Sequence, residues 1–240
     1  MTVRIAMWSG PRNISTAMMR AWENRPDCAV IDEPFYACYL AETGLPHPCR
    51  EAVLAAQSHQ RAGVIASLTT DAPAAVFYQK HMTHHMPSGS TLDWSRDFRH
   101  AFLIRDPAAV VASYLKKMPS VTADDIGIER QFELFQTVTA LQGCPPPVID
   151  SADVLRNPRR LMGLLCDALD VPRRDAEMTR WPAGPRPSDG VWADHWYGAV
   201  RQSTGFAPLD VAAPALIGKP LALANAMRPF YEAMASHRIG

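Results

Sequence analysis

The sequence lacks an excess of either charge, a cysteine framework and a long apolar run. Its 240 residues include 24 Lys and Arg against 24 Asp and Glu, so no overall field predicts binding to nucleic acid or to an anionic membrane. Five scattered cysteines with no Cys-x-x-Cys pair favour reduced thiols over a disulfide framework or a zinc site. No apolar run approaches the ~20 residues of a membrane span, and no signal pattern is present. We therefore expect a cytoplasmic protein with a single domain over residues 1–240.

A phosphate-binding loop is predicted near the N-terminus, although the Walker A pattern is missing. Val3 to Trp8 has the length of a buried parallel strand, and Ala17 to Asn24 has helical composition. A helix that starts directly after a strand directs its free N–H groups and its positive dipole end over the strand, which favours an anion. The segment between them reads Ser9-Gly10-Pro11-Arg12-Asn13-Ile14-Ser15-Thr16. It has a single Gly and no Lys, so it does not fit G-x-x-x-x-G-K-[ST].

Short apolar runs alternate with helical segments from Val3 to Asp170. Further strands are predicted at Cys28 to Asp32, Ala74 to Gln79, His100 to Ile104 and Pro146 to Ile149. Further helices are predicted at Phe35 to Leu40, Pro48 to Ala62, Pro107 to Lys117, Asp124 to Gln142, Asn157 to Asp170 and Leu221 to His237. The alternation predicts a three-layer α/β fold, with a mostly parallel central sheet, helices on both faces and a P-loop-like phosphate site. A long loop rich in Pro, Gly and Trp is predicted at about 172–215.

Charged and polar residues follow several of the predicted strands. Glu33 follows the second strand, Lys80 and His81 follow the third, and Arg105 follows the fourth. Ligands of open parallel sheets bind at the carboxyl ends of the strands. We therefore expect these side chains to lie near the phosphate loop.

A second anion-binding segment is predicted at Phe102 to Lys117, FLIRDPAAVVASYLKK. Arg105 ends a strand and offers a planar, permanently charged fork to a phosphate. Asp106-Pro107 is a helix start, with Asp as N-cap and Pro at the first helical position. Ser113 lies about two helical turns further on.

These two segments together resemble the PAPS-dependent sulfotransferases. Pro11, Arg12, Ser15 and Thr16 match the family's loop for the 5′-phosphosulfate, whereas Asn13-Ile14 stands where the family has Ser-Gly. Arg105 and Ser113 match the family's 3′-phosphate segment. The resemblance implies PAPS as donor, PAP as product, no metal and a small-molecule acceptor with a hydroxyl or amine. In the late loop, Arg186 and Trp192 stand as hypotheses for donor contact, with packing as the alternative role for the tryptophan.

Glu33 and His81 are the candidates for the base that takes the acceptor's proton. Glu33 matches a strand-end acid used in some branches of the family, and Lys80-His81 is similar to the Lys-Thr-His of others, one residue shorter. Because successive strand residues point to opposite faces, only one of Lys80 and His81 can face the site if the strand continues. Arg12 is expected to stabilise the leaving phosphate, with Lys80 as a supplement.

Alternatives remain at this stage. The same fold can serve an ATP–Mg²⁺ kinase or hydrolase, or a nucleotide-binding protein without catalysis. The spacing of His81, His84 and His85 fits one helical face and admits a metal site, although no nearby Cys or acid completes a ligand set. The sequence fixes neither the acceptor nor the oligomeric state.

Overall fold

The central feature is a parallel sheet. The computed structural model describes residues 2–70, 72, 74–209 and 215–240, and within them the sheet has five strands in the order β2-β3-β1-β4-β5. The strands are β1 (Val3–Ser9), β2 (Cys28–Asp32), β3 (Val76–Met82), β4 (Arg99–Ile104) and β5 (Val148–Asp150). Every pairing is parallel. All carboxyl ends therefore meet at one edge, with β1 in the middle.

Helices surround this sheet. In chain order they are α1 (Ser15–Glu23), α2 (Tyr36–Thr43), α3 (Arg50–Ala56), α4 (Arg61–Thr69), α5 (Pro107–Leu115), α6 (Ala123–Ile126), α7 (Ile128–Gln142), α8 (Ser151–Arg156), α9 (Pro158–Ala168), α10 (Ala193–Trp196), α11 (Gly198–Gln202) and α12 (Gly218–Ala235). Three short 3-10 turns lie at Thr83–His85, Asp93–Ser95 and Glu177–Thr179. No helix in the described part of the chain is both long and apolar enough to cross a membrane.

Both faces of the sheet are covered, which confirms the predicted three-layer α/β architecture. The alternating side chains of β1 separate into two cores because neighbouring strand residues point to opposite faces. Ile5 and Met7 pack with side chains of α1 and α9. Ala6 and Trp8 pack with side chains of α5, α7 and α12. Burial on both faces explains why the strands read as nearly continuous apolar runs.

The prediction for the third strand was wrong in its end point. We expected Ala74 to Gln79, but β3 runs from Val76 to Met82 and carries Lys80 and His81 within it. The two successive polar residues Lys80 and His81 interrupt the apolar run, so the sequence pattern did not indicate that the strand continues. The structure tolerates them because Lys80 is paired with buried carboxylates, and because His81 packs among aromatic rings.

Two predicted helices are each divided in the structure. The segment Pro48 to Ala62 contains α3 and the beginning of α4, with Gln57 in an extended conformation between them. The segment Asp124 to Gln142 is broken at Gly127, whose φ of +59° lies in the left-handed region that glycine adopts without strain. The helical periodicity continued through both breaks, so the sequence pattern did not reveal them.

The predicted helix starts around the site are present. Asp106 accepts hydrogen bonds from the backbone N–H groups of Ala108 and Ala109, with Pro107 in the first helical position. Asn157 caps α9 in the same way. The late segment predicted as a long loop contains α10 and α11, and residues 210–214 of it lie outside the described residues.

Candidate functional site

A cavity of about 620 Å³ opens at the carboxyl edge of the sheet. Pro11 to Ala17 of the predicted phosphate loop form one part of its wall. Other wall residues follow or end strands and helices that meet at this edge, and they include Glu33, Lys80, Met82, Arg105 and Ser113. The segment from Asp194 to Val200 closes a further side. Its size and position are those of a small-molecule site in an open α/β sheet.

The loop after β1 presents an uncapped helix start to this cavity. Ile14 is the N-cap of α1, and no side chain accepts a hydrogen bond from the first-turn N–H groups. Asn13 fastens the loop to the sheet, because its Nδ2 donates to the Leu103 carbonyl at 3.0 Å. Gly10 sits so close to α6 that a Cβ there would come within 2.8 Å of the Ile126 carbonyl oxygen. The backbone donors are thus held rigidly toward the cavity, and they fit an anion.

The two predicted anion-binding segments meet at Arg12. The Arg12 Nε donates to Ser113 Oγ at 3.1 Å, and the Arg105 guanidinium donates to the Arg12 carbonyl at 2.6 Å. Burial lowers the pKa of Arg12, yet a guanidinium stays charged at neutral pH. Within the residues that the structure describes, no carboxylate lies within ion-pair distance of Arg12. Its charge is therefore available to an anionic ligand, and this donor set fits a nucleotide with two separate phosphate groups.

A buried ionic cluster contributes Glu33, Lys80 and Tyr197 to the cavity wall. Lys80 Nζ contacts Asp32 Oδ1 at 2.7 Å, Glu33 Oε1 at 2.6 Å and the Tyr197 hydroxyl at 2.9 Å. Burial raises the pKa of the Glu33 carboxyl, and the positive charge of Lys80 opposes that effect only in part. Burial alone would lower the pKa of Lys80, but Asp32 and Glu33 raise it well above the ordinary value. One charged lysine therefore contacts two carboxylates, and the pKa of Glu33 stays above its ordinary value.

The structure places His81 outside the cavity, which corrects the expectation that it follows the strand. Its ring stacks on Trp8, with centroids 4.5 Å apart, and contacts Phe35 and Trp94 on the same face of the sheet. Burial lowers the pKa of His81 to about 3. The side chain is only 1% exposed, so it does not reach an acceptor. Lys80 points to the other face, as the alternation of strand residues requires.

Four other predicted residues do not line the cavity. Ser9 is buried at the end of β1 and contacts Met82, and Gly10 packs closely against α6. Arg186 lies beside Glu23 and donates to the Pro182 carbonyl. Trp192 is 2% exposed and packs on Tyr36, while its Nε1 donates to the Tyr197 hydroxyl. Trp192 therefore has the packing role that we had weighed against donor contact.

Several residues of the site were not predicted from the sequence. Asp32 and Tyr197 complete the ionic cluster, and further residues of the cavity wall are Tyr36, His47, His84, His85, Tyr114 and Trp196. Asp32 could have been noticed because it precedes Glu33 at the same strand end. Nothing in the sequence marks Tyr197, which lies in the late segment and reaches the site only through the tertiary fold.

Among the described residues, no group of three or more His, Cys, Asp or Glu side chains is arranged to hold a metal ion.

A second depression lies behind the segment 203–207. It measures about 880 Å³, is more open, and is lined by Trp181, Pro182 and neighbouring residues. It shares Ser203, Gly205, Phe206 and Ala207 with the first cavity but contains no residue of the phosphate loop. We therefore assign the functional site to the cavity at the sheet edge.

Comparison with known proteins gives consistent results for sequence and structure. The sulfotransferase domain family matches residues 3–238. Two relatives from Arabidopsis thaliana, branched-chain-amino-acid aminotransferase-like proteins 1 and 2, are 34% and 32% identical over 203 and 204 residues. Each match covers 84% of this chain but 36% of the relative. The chain thus spans about a third of the length of these relatives.

Three solved structures share the fold. The sulfotransferase domain of the Synechococcus PCC 7002 olefin synthase superposes with a TM-score of 0.63 at 19% identity, covering 98% of this chain and 95% of that one. The sulfotransferase domain from the curacin biosynthetic pathway gives 0.54 at 14% identity, with 98% and 97% covered. A sulfotransferase from Alicyclobacillus acidocaldarius gives 0.56 at 10% identity, with 99% and 94% covered.

Proposed function

Because the chain belongs to the sulfotransferase domain family, we propose that it transfers a sulfuryl group from PAPS to a hydroxyl or amine of a small molecule. PAPS supplies the activated sulfuryl group, and PAP is the product. The observation that carries this proposal is the junction of two anion-binding segments at Arg12, whose side chain contacts Ser113 and whose carbonyl contacts Arg105. A donor with phosphate groups at both its 3′ and 5′ positions requires two such segments, whereas an ordinary ATP enzyme requires one.

The residues of the loop are proposed to hold the 5′ end of the donor. Ser15 and Thr16 lie in the first turn of α1, where the N–H groups have no side-chain cap. Arg12 stabilises the negative charge that develops on the leaving phosphate oxygens, as a fixed cation does in related group transfers. Arg105 and Ser113 are proposed to hold the 3′-phosphate. Arg105 also fixes the loop through the Arg12 carbonyl.

Glu33 is proposed as the base. Its Oε1 is held by Lys80 at 2.6 Å, while its Oε2 is 4.0 Å from His85 Nε2. This second oxygen takes the acceptor's proton as the acceptor oxygen or nitrogen bonds to sulfur and the bond from sulfur to the phosphate oxygen breaks. The carboxyl group and the loop line the same cavity, as a base and a donor site that act on one sulfuryl group must.

The part of the cavity lined by the contacting rings of Tyr36, His47, His84, His85 and Trp196 is proposed to bind the acceptor. Its wall combines aromatic rings with imidazoles, and burial lowers the pKa of His47 and lowers that of His84 to about 4. These imidazoles are neutral at pH 7, so they present hydrogen-bonding groups without charge. Donor and acceptor share about 620 Å³, which is within the range of a single small-molecule site and favours a small acceptor.

The name of the two Arabidopsis relatives describes proteins about three times as long as the matched region. It gives no reason to propose transamination for this chain, because the matched part is the one that the sulfotransferase domain family covers. An ATP–Mg²⁺ enzyme remains the alternative to test.

The decisive experiment compares nucleotides by calorimetric titration and thermal shift. We expect 3′,5′-ADP to bind and stabilise the protein selectively over 5′-AMP and ATP–Mg²⁺, because only 3′,5′-ADP engages both anion-binding segments. Release of 3′,5′-ADP from PAPS in the presence of small hydroxyl or amine compounds then tests transfer itself. A preference for ATP–Mg²⁺ would overturn the proposal.

A further inference from the structure

The ionic cluster contains more negative than positive groups. Asp32 and Lys80 are each 1% exposed and Glu33 is 12% exposed, so two carboxylates share one ammonium group away from bulk water. Isolated charges are costly to bury unless other charges or hydrogen bonds compensate them. How strongly the positive charge of Lys80 stabilises each carboxylate therefore decides how basic each of them is.

Asp32 is satisfied by two donors. Lys80 Nζ contacts its Oδ1 at 2.7 Å, and the Tyr197 hydroxyl donates to its Oδ2 at 2.6 Å. The tyrosine is held in turn by Trp192, whose Nε1 donates to the same hydroxyl at 3.1 Å. Its ring also lies under Lys80, with Nζ 5.3 Å from the ring centroid. Tyr197 thus contacts both members of the Asp32–Lys80 pair.

Glu33 has its close contact with Lys80, and the Tyr197 hydroxyl favours its ionised form more weakly. Lys80 contacts its Oε1 at 2.6 Å, and its Oε2 lies 4.0 Å from His85 Nε2. If Asp32 were absent, Lys80 would pair with Glu33 alone and would favour the ionised carboxylate strongly. If the Tyr197 hydroxyl were absent, Asp32 would depend on Lys80 alone and would draw the ammonium group away from Glu33.

We propose that Asp32 and Tyr197 are positioning residues that divide the charge of Lys80, so that Glu33 keeps a carboxylate oxygen free to accept a proton. The inference rests on the proposed function for its catalytic meaning, since it assigns the base of that reaction. It also gives the late segment a role in the site, because Tyr197 lies between α10 and α11 and brings its hydroxyl to the end of β2.

Other groups around Glu33 act on its protonation, and the test must hold them constant. These are Lys80 of β3, Asp32 of β2, His85 of the turn after β3, Tyr197 of the late segment and Tyr36 of α2. Burial lowers the pKa of His85 well below its ordinary value, which favours its neutral form. The variants below leave His85 and Tyr36 unchanged.

The experiment follows the protonation of Glu33 directly in the full chain by carbon-13 detection of labelled glutamate carboxyl groups, with Glu33→Gln identifying the signal. We expect Asp32→Asn to move the midpoint of the Glu33 titration down by about one pH unit or more. We expect Tyr197→Phe, which keeps the ring, to move it up. These opposite directions separate charge division from a general loss of structure, which near-ultraviolet circular dichroism monitors in each variant.

The chain provides a matched control at another strand end. Tyr231 donates to Asp150 Oδ2 at 2.7 Å after β5, and neither residue lines the cavity. Tyr231→Phe should leave the Glu33 midpoint unchanged. Equal midpoints in wild type, Asp32→Asn and Tyr197→Phe, all folded, would overturn the inference.

The titration requires neither donor nor acceptor, so its failure is distinct from failure of the proposed function. Where transfer is measured, the acid limb of kcat/KM against pH should move in the same directions as the midpoints. A lower rate at every pH with an unmoved limb in both variants would assign Asp32 and Tyr197 a purely structural role and would also overturn the inference.

Discussion

Arg12 Nε donates to Ser113 Oγ at 3.1 Å, although the two residues are 101 positions apart in the chain. Arg12 belongs to the loop after β1, and Ser113 lies in α5 after β4. Because β1 and β4 are paired in parallel, their following loop and helix start from the same sheet edge. The contact joins the proposed 5′ and 3′ phosphate sites into one positively charged wall, and the first prediction tests how the two sites differ.

Replacing Arg105 should discriminate between the two ends of the donor. We expect Arg105→Ala to weaken the binding of 3′,5′-ADP by about 1.5–3 kcal/mol, the value of a charge-assisted hydrogen bond. The binding of 5′-AMP should be weakened much less. Calorimetric titration of both nucleotides measures the difference. Arg99→Ala is the control, because Arg99 is exposed at the other end of β4. Equal losses for the two nucleotides would show that Arg105 acts only by supporting the loop through the Arg12 carbonyl.

The base is tested by ranking two variants. Glu33→Gln should reduce transfer by ~10²–10⁴-fold, as expected on loss of general base catalysis, while 3′,5′-ADP binds normally. His81→Phe should reduce transfer far less, because His81 is buried between Trp8 and Phe35 and does not line the cavity. Steady-state rates with the best acceptor from a screen of small hydroxyl and amine compounds provide the measurement. A larger loss in His81→Phe would move the role of base away from Glu33.

At position 14 we expect glycine to give a more stable protein than alanine, which is the reverse of the usual order within a helix. The φ of Ile14 is +59°, a left-handed conformation that is unfavourable for a β-branched residue. Ile14→Gly and Ile14→Ala remove the same packing, but only glycine adopts this conformation freely, so we expect Ile14→Gly to be more stable by about 1 kcal/mol. Urea unfolding gives the comparison. As a control, Ala66→Gly in the exposed part of α4 should lower the free energy of unfolding by about 0.5–1 kcal/mol. If Ile14→Gly were less stable than Ile14→Ala by a similar amount, the prediction would be contradicted.

Acid should destabilise the protein through its buried histidines. Burial lowers the pKa of His81 to about 3 and that of His100 to about 4, from an ordinary value of 6.5. Below pH 6.5 these two histidines therefore bind protons in the unfolded chain but not in the folded chain. The free energy of unfolding falls as the pH drops from 6.5 toward 4. His81→Phe should make this fall shallower by about 1.4 kcal/mol per pH unit.

Urea unfolding at several pH values from 7 to 4 measures that slope. The control is Phe35→Leu, which changes the packing against His81 without removing a titrating group. It should lower the free energy of unfolding at every pH and leave the slope unchanged. If His81→Phe and wild type lost stability equally on acidification, His81 would not be a source of the acid sensitivity.

The fold class and the positions of the two proposed phosphate-binding segments could be predicted from the sequence because their signals are local. An apolar run followed within a few residues by a helix start identifies the β1 loop, and Asp106-Pro107 carries its own capping chemistry. The order of these units then predicts a parallel sheet whose ends meet at one edge. Arg12 and Arg105 could therefore be assigned to one side of the molecule without coordinates.

Tertiary structure alone decided which side chains face the cavity. Because neighbouring strand residues point to opposite faces, the extension of β3 to Met82 directs Lys80 toward Asp32 and Glu33 and directs His81 into the aromatic core. Tyr197 comes within 2.6 Å of Asp32 from 165 positions away. Such contacts depend on strand register and on the path of the late segment, and no short-range pattern in the sequence encodes either.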